Sequence, residues 1–235
     1  MPSCWFRGGL RFVRIGVIPA QGAGQQALWQ LGVPCFTAGA MIATPRGEVA
    51  VESLRIADEV LTQDHDAMPI RWAGGRHPDP KALAAQRGLR LVAIRRNALR
   101  THAAVMVSPQ HAVLAMTRQG ERLVRAKHLA DLEHPRFRIA RGKRQVIHHH
   151  ILLPQHGIVM ANDLAAESMY PAPIALRAPG PQACPDLTAT LPWIAPILAG
   201  EVEVAALYGP TARPVAKRKG LFLLGSSGAA QHRAA

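Results

Sequence analysis

Apolar runs of about four to six residues recur along the middle of the chain, separated by clusters of glycine, proline and polar residues, and no 3.6-residue helical period is sustained for long. The stretch MIATPRGEVAVESLRIADEVLT alternates short apolar pieces with turn chemistry at Pro45, Arg46 and Gly47, which predicts a hairpin with PRG at its tip. DHDAM reads as a turn and PIRWAGG as a short strand ending in a double glycine. After the polar excursion HPDPKALAAQRG, the pieces GLRLVAIRRNAL, AAVMVS, HAVLAM, RLVRAKHL and RFRIAR each supply a strand-sized run. VIHHHILL and GIVMA flank PQH and close the pattern near Ser168. Strands at a spacing of about eight to twelve residues indicate an all-β fold.

The pattern fades on both sides of this region. Residues 1–34 read as a short leader without acidic residues, with weak strand character in LRFVRIGVI and a loop-like AQGAGQQ. Residues 172–235 are proline-rich and irregular, with a few packed segments and a frayed end from Ser226. The expected organisation is therefore leader 1–34, an all-β domain over 35–171, and a C-terminal extension over 172–235.

Composition supports a folded chain, because 235 residues with 49% apolar content are enough to bury a core, and 20 glycines with 19 prolines favour turns over coiled coils. The formal charge of +13 raises nucleic acid or an anionic surface as a partner. That excess is spread out: three basic residues and no acids in the leader, 19 against 12 in the central region, and six against three in the extension. With no basic stripe carrying stacking aromatics, no specific nucleic-acid partner is expected, and a basic binder stays only as a rival reading. No run of eighteen apolar residues is present, so no transmembrane segment is expected. Gly8, Arg11, Arg14, Gly16 and Pro19 interrupt any signal-peptide core, which implies a soluble protein, cytoplasmic or exported without a cleavable signal. Cys4, Cys35 and Cys184 form no CxxC and suggest neither a disulfide framework nor a metal site.

Three features carry candidate chemistry. Cys35 stands at the junction between leader and strands, where a small buried apolar side chain is the plain alternative. Ser108 and His111 lie three apart in VSPQHAVL, which puts a hydroxyl and an imidazole on one side of a tight loop; the alternative is a turn-capping serine beside a surface histidine. A Ser-His hydrolase is disfavoured because GxSxG is missing. His148, His149, His150 and His156 cluster in HHHILLPQHG, but strand alternation sends His149 to the face opposite His148 and His150, so the three cannot share one ion.

Read together, CFTAGAMIATPRGEVAVESLRIADEVLTQD, PIRWAGGR, VSPQHAVL, RAKHL and HILLPQHGIVMANDLAAES resemble, in order and spacing, the successive blocks of the bacterial Hedgehog/intein (Hint) domain. The resemblance covers about Cys35 to Ser168, and YGPTARPV is more loosely similar to the segment that often follows such domains. It implies a compact all-β horseshoe of twisted hairpins. It also implies single-turnover self-cleavage, in which the Cys35 sulfur attacks the Pro34 carbonyl and exchanges the peptide bond for a thioester. Under that resemblance His111 is the acid to the scissile nitrogen, and Ser108 stands for the more usual threonine that binds the amide. His150 and His156 tune the thiolate or activate the resolving nucleophile. The substrate is the chain's own N-terminal segment, the resolving partner is water, a thiol or an amine, and no cofactor or metal is required.

Departures from the pattern shape the expectation further. ANDLAAESMYP offers no terminal asparagine followed by a nucleophile, which argues against splicing. Ala40 stands where a hydroxyl residue is frequent, Ala57 stands before Asp58 where glycine is common, and Pro34 stiffens the acyl side. A catalytically silent Hint scaffold serving as an interaction module is the first rival reading, ahead of the basic binder.

Overall fold

The structure, a computed structural model, describes residues 17–18, 33–76, 89–132, 134–140, 146–177, 183–219, 221–223 and 232–233. The AQGAGQQ loop, the HPDPKALAAQRG excursion and most of the end from Ser226 lie outside the described residues. So does Cys4, together with the side chain of Cys184.

The predicted hairpin forms as β3 (Met41–Thr44) and β4 (Gly47–Ala50), with Thr44 paired to Gly47 across a turn at Pro45 and Arg46. Gly47 takes φ 101°, a conformation that strongly favours glycine. Of DHDAM, residues 64–66 lie in the turn between β5 (Glu59–Leu61) and β6 (Ala67–Pro69) while Ala67 and Met68 already belong to β6, and the run ending in the double glycine becomes β7 (Trp72–Arg76). The later pieces give β8 (Val92–Ile94), β9 (Val105–Val107), β10 (Ala112–Thr117), β11 (Gly120–Arg125), β12 (Phe137–Ile139), β13 (His148–Leu152) and β14 (Ile158–Ala161). A further strand, β15 (Leu164–Glu167), returns from β14 through Asn162 and Asp163, both at positive φ as a tight hairpin turn requires. The remaining strands are β1 (Val17–Ile18), β2 (Phe36–Thr37), β16 (Phe222–Leu223) and β17 (His232–Arg233).

The strands assemble into a seven-stranded sheet in the order β1-β7-β13-β2-β9-β8-β12, an eight-stranded sheet in the order β17-β16-β10-β15-β14-β3-β4 with β11 beside β10, and the small β5-β6 pair. Among the described pairings between these strands only β1 with β7 is parallel, so the all-β expectation holds. One core, with Phe36, Ile42, Ile94, Val107, Leu129, Ile151 and Leu164 among its buried members, lies between the large sheets. Ala40 is buried in it, an environment in which a hydroxyl would need a hydrogen-bond partner.

Two segments depart from the strand reading. RLVRAKHL is a strand only to Arg125, after which α1 (Ala126–Ala130) turns Ala126 and Leu129 into the core. In the extension, read as proline-rich and irregular with a few packed segments, those segments are short helices. The extension contains α2 (Pro173–Arg177), α3 (Ala183–Thr190), α4 (Ala195–Ala199) and α5 (Val204–Tyr208). Prolines stand at helix starts, where their missing N–H costs nothing, and Gly200 ends α4 in the left-handed conformation. These helices build a second apolar cluster against the sheet residues Trp72 and Leu152. Beyond them Arg213 pairs with Asp64 at 2.6 Å and with Glu121 at 2.9 Å, and Val215 bridges Leu123 in parallel.

Ala57 sits at φ 71°, which explains physically why glycine suits that position. Ala57→Gly is expected to raise stability by about 0.5–1 kcal/mol, read as a higher denaturation midpoint. Gly74→Ala is expected to lower it by about 1–3 kcal/mol, because a Cβ there would lie 2.4 Å from the buried Trp72 indole.

Candidate functional site

The N-terminal end of β2 is where the seven-stranded sheet gathers the candidate side chains. β2 runs between β13 and β9. Its register pairs Thr37 with His148 and Phe36 with His149, so the next pair faces Cys35 with His150. On the other side Phe36 pairs with Val107, so the next pair faces Cys35 with Ser108, whose N–H donates to the Cys35 carbonyl at 3.1 Å. Residues separated by 73 and 115 positions in sequence thus become cross-strand neighbours of one cysteine.

The Pro34–Cys35 peptide is engaged at both of its polar atoms. The Cys35 N–H donates to Ser108 Oγ at 3.1 Å, and His150 Nδ1 lies 2.8 Å from the Pro34 carbonyl oxygen. Since a carbonyl only accepts, Nδ1 carries the proton and donates it. The Ser108 hydroxyl donates in turn to the Val33 carbonyl at 2.6 Å, and the Cys35 thiol donates to that same oxygen with its sulfur 3.3 Å away. Cys35, Ser108 and His150 are all buried.

His111 stands just beyond the Pro109–Gln110 turn, its N–H donating to the Ser108 carbonyl at 3.1 Å. Its ring meets Phe36, the residue after Cys35, edge-on with centroids 4.4 Å apart. It is 1% exposed, which excludes the surface-histidine alternative, and neither ring nitrogen makes a hydrogen bond. Burial, reinforced by His150, drives its pKa down to about 3; the Cys35 backbone opposes this without meeting hydrogen-bond geometry, and His156 adds a smaller lowering. The imidazole is neutral at physiological pH.

None of the hydrogen bonds of His156 reaches the Pro34–Cys35 peptide. The Ala212 N–H donates to its Nδ1 at 2.9 Å, so Nε2 carries the proton, 3.2 Å from the Ser168 carbonyl and 3.6 Å from Glu167 Oε2. Glu167 Oε1 accepts the Ala112 N–H at 2.7 Å, next to His111. A chain of polar contacts therefore runs from the extension through His156 and Glu167 to Ala112, the first residue of β10 and the neighbour of His111. His149 points the other way, against Gly75, where a Cβ would lie 2.9 Å from its ring. Among the described residues no group of three or more His, Cys, Asp or Glu side chains is arranged to hold a metal ion.

Sequence reasoning missed Glu167 and Val33. The single acid after the apolar run LAA was a usable signal for the first, since a carboxylate in a buried strand needs partners. Val33 acts through its carbonyl and its packing, which leave no mark in the sequence.

Neutral burial of His111 has a consequence for stability. Unfolded, the ring protonates near 6.5; folded, near 3, so between those values the unfolded chain binds the extra proton. The stability contributed is complete above pH 6.5 and is lost as pH falls toward 3, at about 1.4 kcal/mol per pH unit from this group. Denaturant titrations of wild type and His111→Gln between pH 7 and 4 are expected to show a shallower acid slope in the variant; equal slopes would contradict neutral burial.

Comparison with known proteins places these residues in context. The profile of the Hint domain matches residues 34–173. Among solved structures, the chain is similar to the bacterial intein-like domain from Clostridium thermocellum, at 16% identity and a TM-score of 0.39 over 57% of this chain and 97% of that one. It is similar to the MchDnaB-1 intein at 14% identity and 0.33 over 58% and 98%, and to the gp41-1 intein at 12% and 0.34 over 57% and 97%. No curated protein matches the chain. No helix among the described residues is long and apolar enough to cross a membrane. Because the matched span covers more than half of the chain and runs from the residue before the buried cysteine to the first helix of the extension, the chain belongs to the Hint domain family, a family of autoprocessing domains.

Proposed function

We propose that the protein cleaves its own backbone between Pro34 and Cys35 by an N-to-S acyl shift, without splicing. The observation that carries this reading is the double engagement of that one peptide, with Ser108 on its nitrogen side and His150 on its carbonyl oxygen, beside the thiol of the residue that follows the bond. In the first step Cys35 Sγ attacks the Pro34 carbonyl carbon, a C–S bond forms, the C–N bond breaks, and the thiol proton ends on the Cys35 nitrogen as a free amine.

His111 carries that proton in this scheme. Being neutral at rest, it begins as the base that accepts the thiol proton, and only then acts as the acid to the nitrogen. The negative charge that grows on the Pro34 oxygen favours a protonated imidazole nearby and offsets part of the penalty that burial imposes on it. His150 donates to the same oxygen as the charge grows, the part of an oxyanion hole. Ser108 ties the nitrogen and the Val33 carbonyl together, holding the acyl side in register. His156 and Glu167 are positioning residues, acting through the backbone beside His111.

The thioester is then broken by water, a thiol or an amine, which takes the acyl group and returns the Cys35 thiol. No asparagine followed by a nucleophile closes the 162–171 segment, so the second bond break that splicing requires has no counterpart there.

Intact mass spectrometry tests the reading. Wild type incubated with dithiothreitol is expected to lose residues 1–34, and Cys35→Ala to stay whole. His150→Ala is expected to slow the loss by about 10²–10³-fold and His111→Ala by about 10²–10⁴-fold. An unchanged full-length mass in wild type would instead identify a silent scaffold.

A further inference from the structure

Val33 is fixed in two ways that serve different ends. Its carbonyl accepts the Ser108 hydroxyl at 2.6 Å and the Cys35 thiol at 3.3 Å. The residue is 8% exposed and belongs to the apolar cluster of the extension, together with Leu176, Leu187, Ile194 and Ile197 from the 173–208 region. Most of the cluster comes from that region, and the sheet contributes mainly Trp72 and Leu152. Phe36, by contrast, is buried in the core between the sheets. The residues on the two sides of the scissile bond are thus packed into different cores.

The extension is anchored to the sheets independently of Val33. Tyr208 Oη donates to the Leu153 carbonyl at 2.9 Å and stacks on Trp193 with rings 5.6 Å apart, while the Ala212 N–H holds His156. The wall that receives Val33 is therefore built on contacts that a change at position 33 leaves in place.

We infer that the helices of residues 173–208 form an acyl-side recognition pocket, which selects a branched aliphatic side chain at the second residue before the cleaved bond. The inference rests on the proposed cleavage at Pro34–Cys35 and names what the site reads in its substrate. Val33 belongs to the acyl group, so the pocket would keep that group seated while the carbonyl moves from nitrogen to sulfur and until the thioester is resolved. A charged side chain would have to shed its water in an apolar cluster, and a methyl group would leave part of the pocket unfilled.

The test uses the full chain with Val33→Ile, Val33→Ala and Val33→Asp. Rates of thiol-induced loss of residues 1–34 are expected to fall in the order Val, Ile, Ala, Asp, with Ala slower than wild type by about tenfold and Asp by at least about a hundredfold. Hydrogen exchange on the same proteins, each also carrying Cys35→Ala so that nothing is cut, is expected to show faster exchange over 187–197 for Asp but not for Ile. Cleavage that proceeds equally with Val, Ala and Asp would overturn the pocket and leave the cleavage reading standing. If no protein is cleaved, the cleavage reading falls, and exchange alone decides: a response to Asp and not to Ile keeps a pocket for a branched aliphatic side chain, and no response removes it.

Discussion

The hydrogen bonds across β2 to its two neighbours are the constraint on which the site depends. Cys35 continues β2 by one residue, and the strands on either side are fixed in register by Phe36, which pairs with His149 on one flank and Val107 on the other. A shift of one residue on either flank would send Ser108 or His150 to the opposite face of the sheet, because side chains alternate along a strand. The register is held in turn by burial: Phe36, Val107 and Ile151 all lie in the core between the sheets. The packing that stabilises the fold and the geometry that engages one peptide bond are the same set of contacts.

Placing this peptide inside the protein has an electrostatic side. Ser108, His111, His150 and His156 are all buried, and polar groups removed from water must find partners or stay neutral. His150 and His156 find partners in carbonyls, and Glu167 in a backbone N–H. His111 is left as a neutral imidazole without a hydrogen bond at either nitrogen, and burial is the main reason its basicity is so low.

The extension changes how the molecule divides. By composition, residues 172–235 look separable from the strands before them. In the folded chain they share one cluster with Val33, Trp72 and Leu152, supply the N–H that orients His156, and add Arg213 between Asp64 and Glu121. The candidate site therefore lies beside two cores, one made by the sheets and one made largely by the helices.

Local chemistry was sufficient for the hairpin at Pro45–Gly47, for the strand pieces and for the separation of His149 from its neighbours, because turn preferences and side-chain alternation act over a few residues. Cys35, Ser108, His111, His150 and His156 were singled out by the resemblance to the Hint blocks, and local chemistry by itself left each of them a plain structural alternative. It failed where the outcome depends on distant partners. α1 interrupts a strand-like run because Ala126 and Leu129 reach the core, and the proline-rich extension becomes helical against a surface that its own sequence does not contain. The roles within the site belong to the same class. That His150 meets the Pro34 oxygen, that His156 is held by the Ala212 N–H, and that Val33 is shared with the helices follow from strand order and packing between segments far apart in the chain, and short-range preferences carry no record of either.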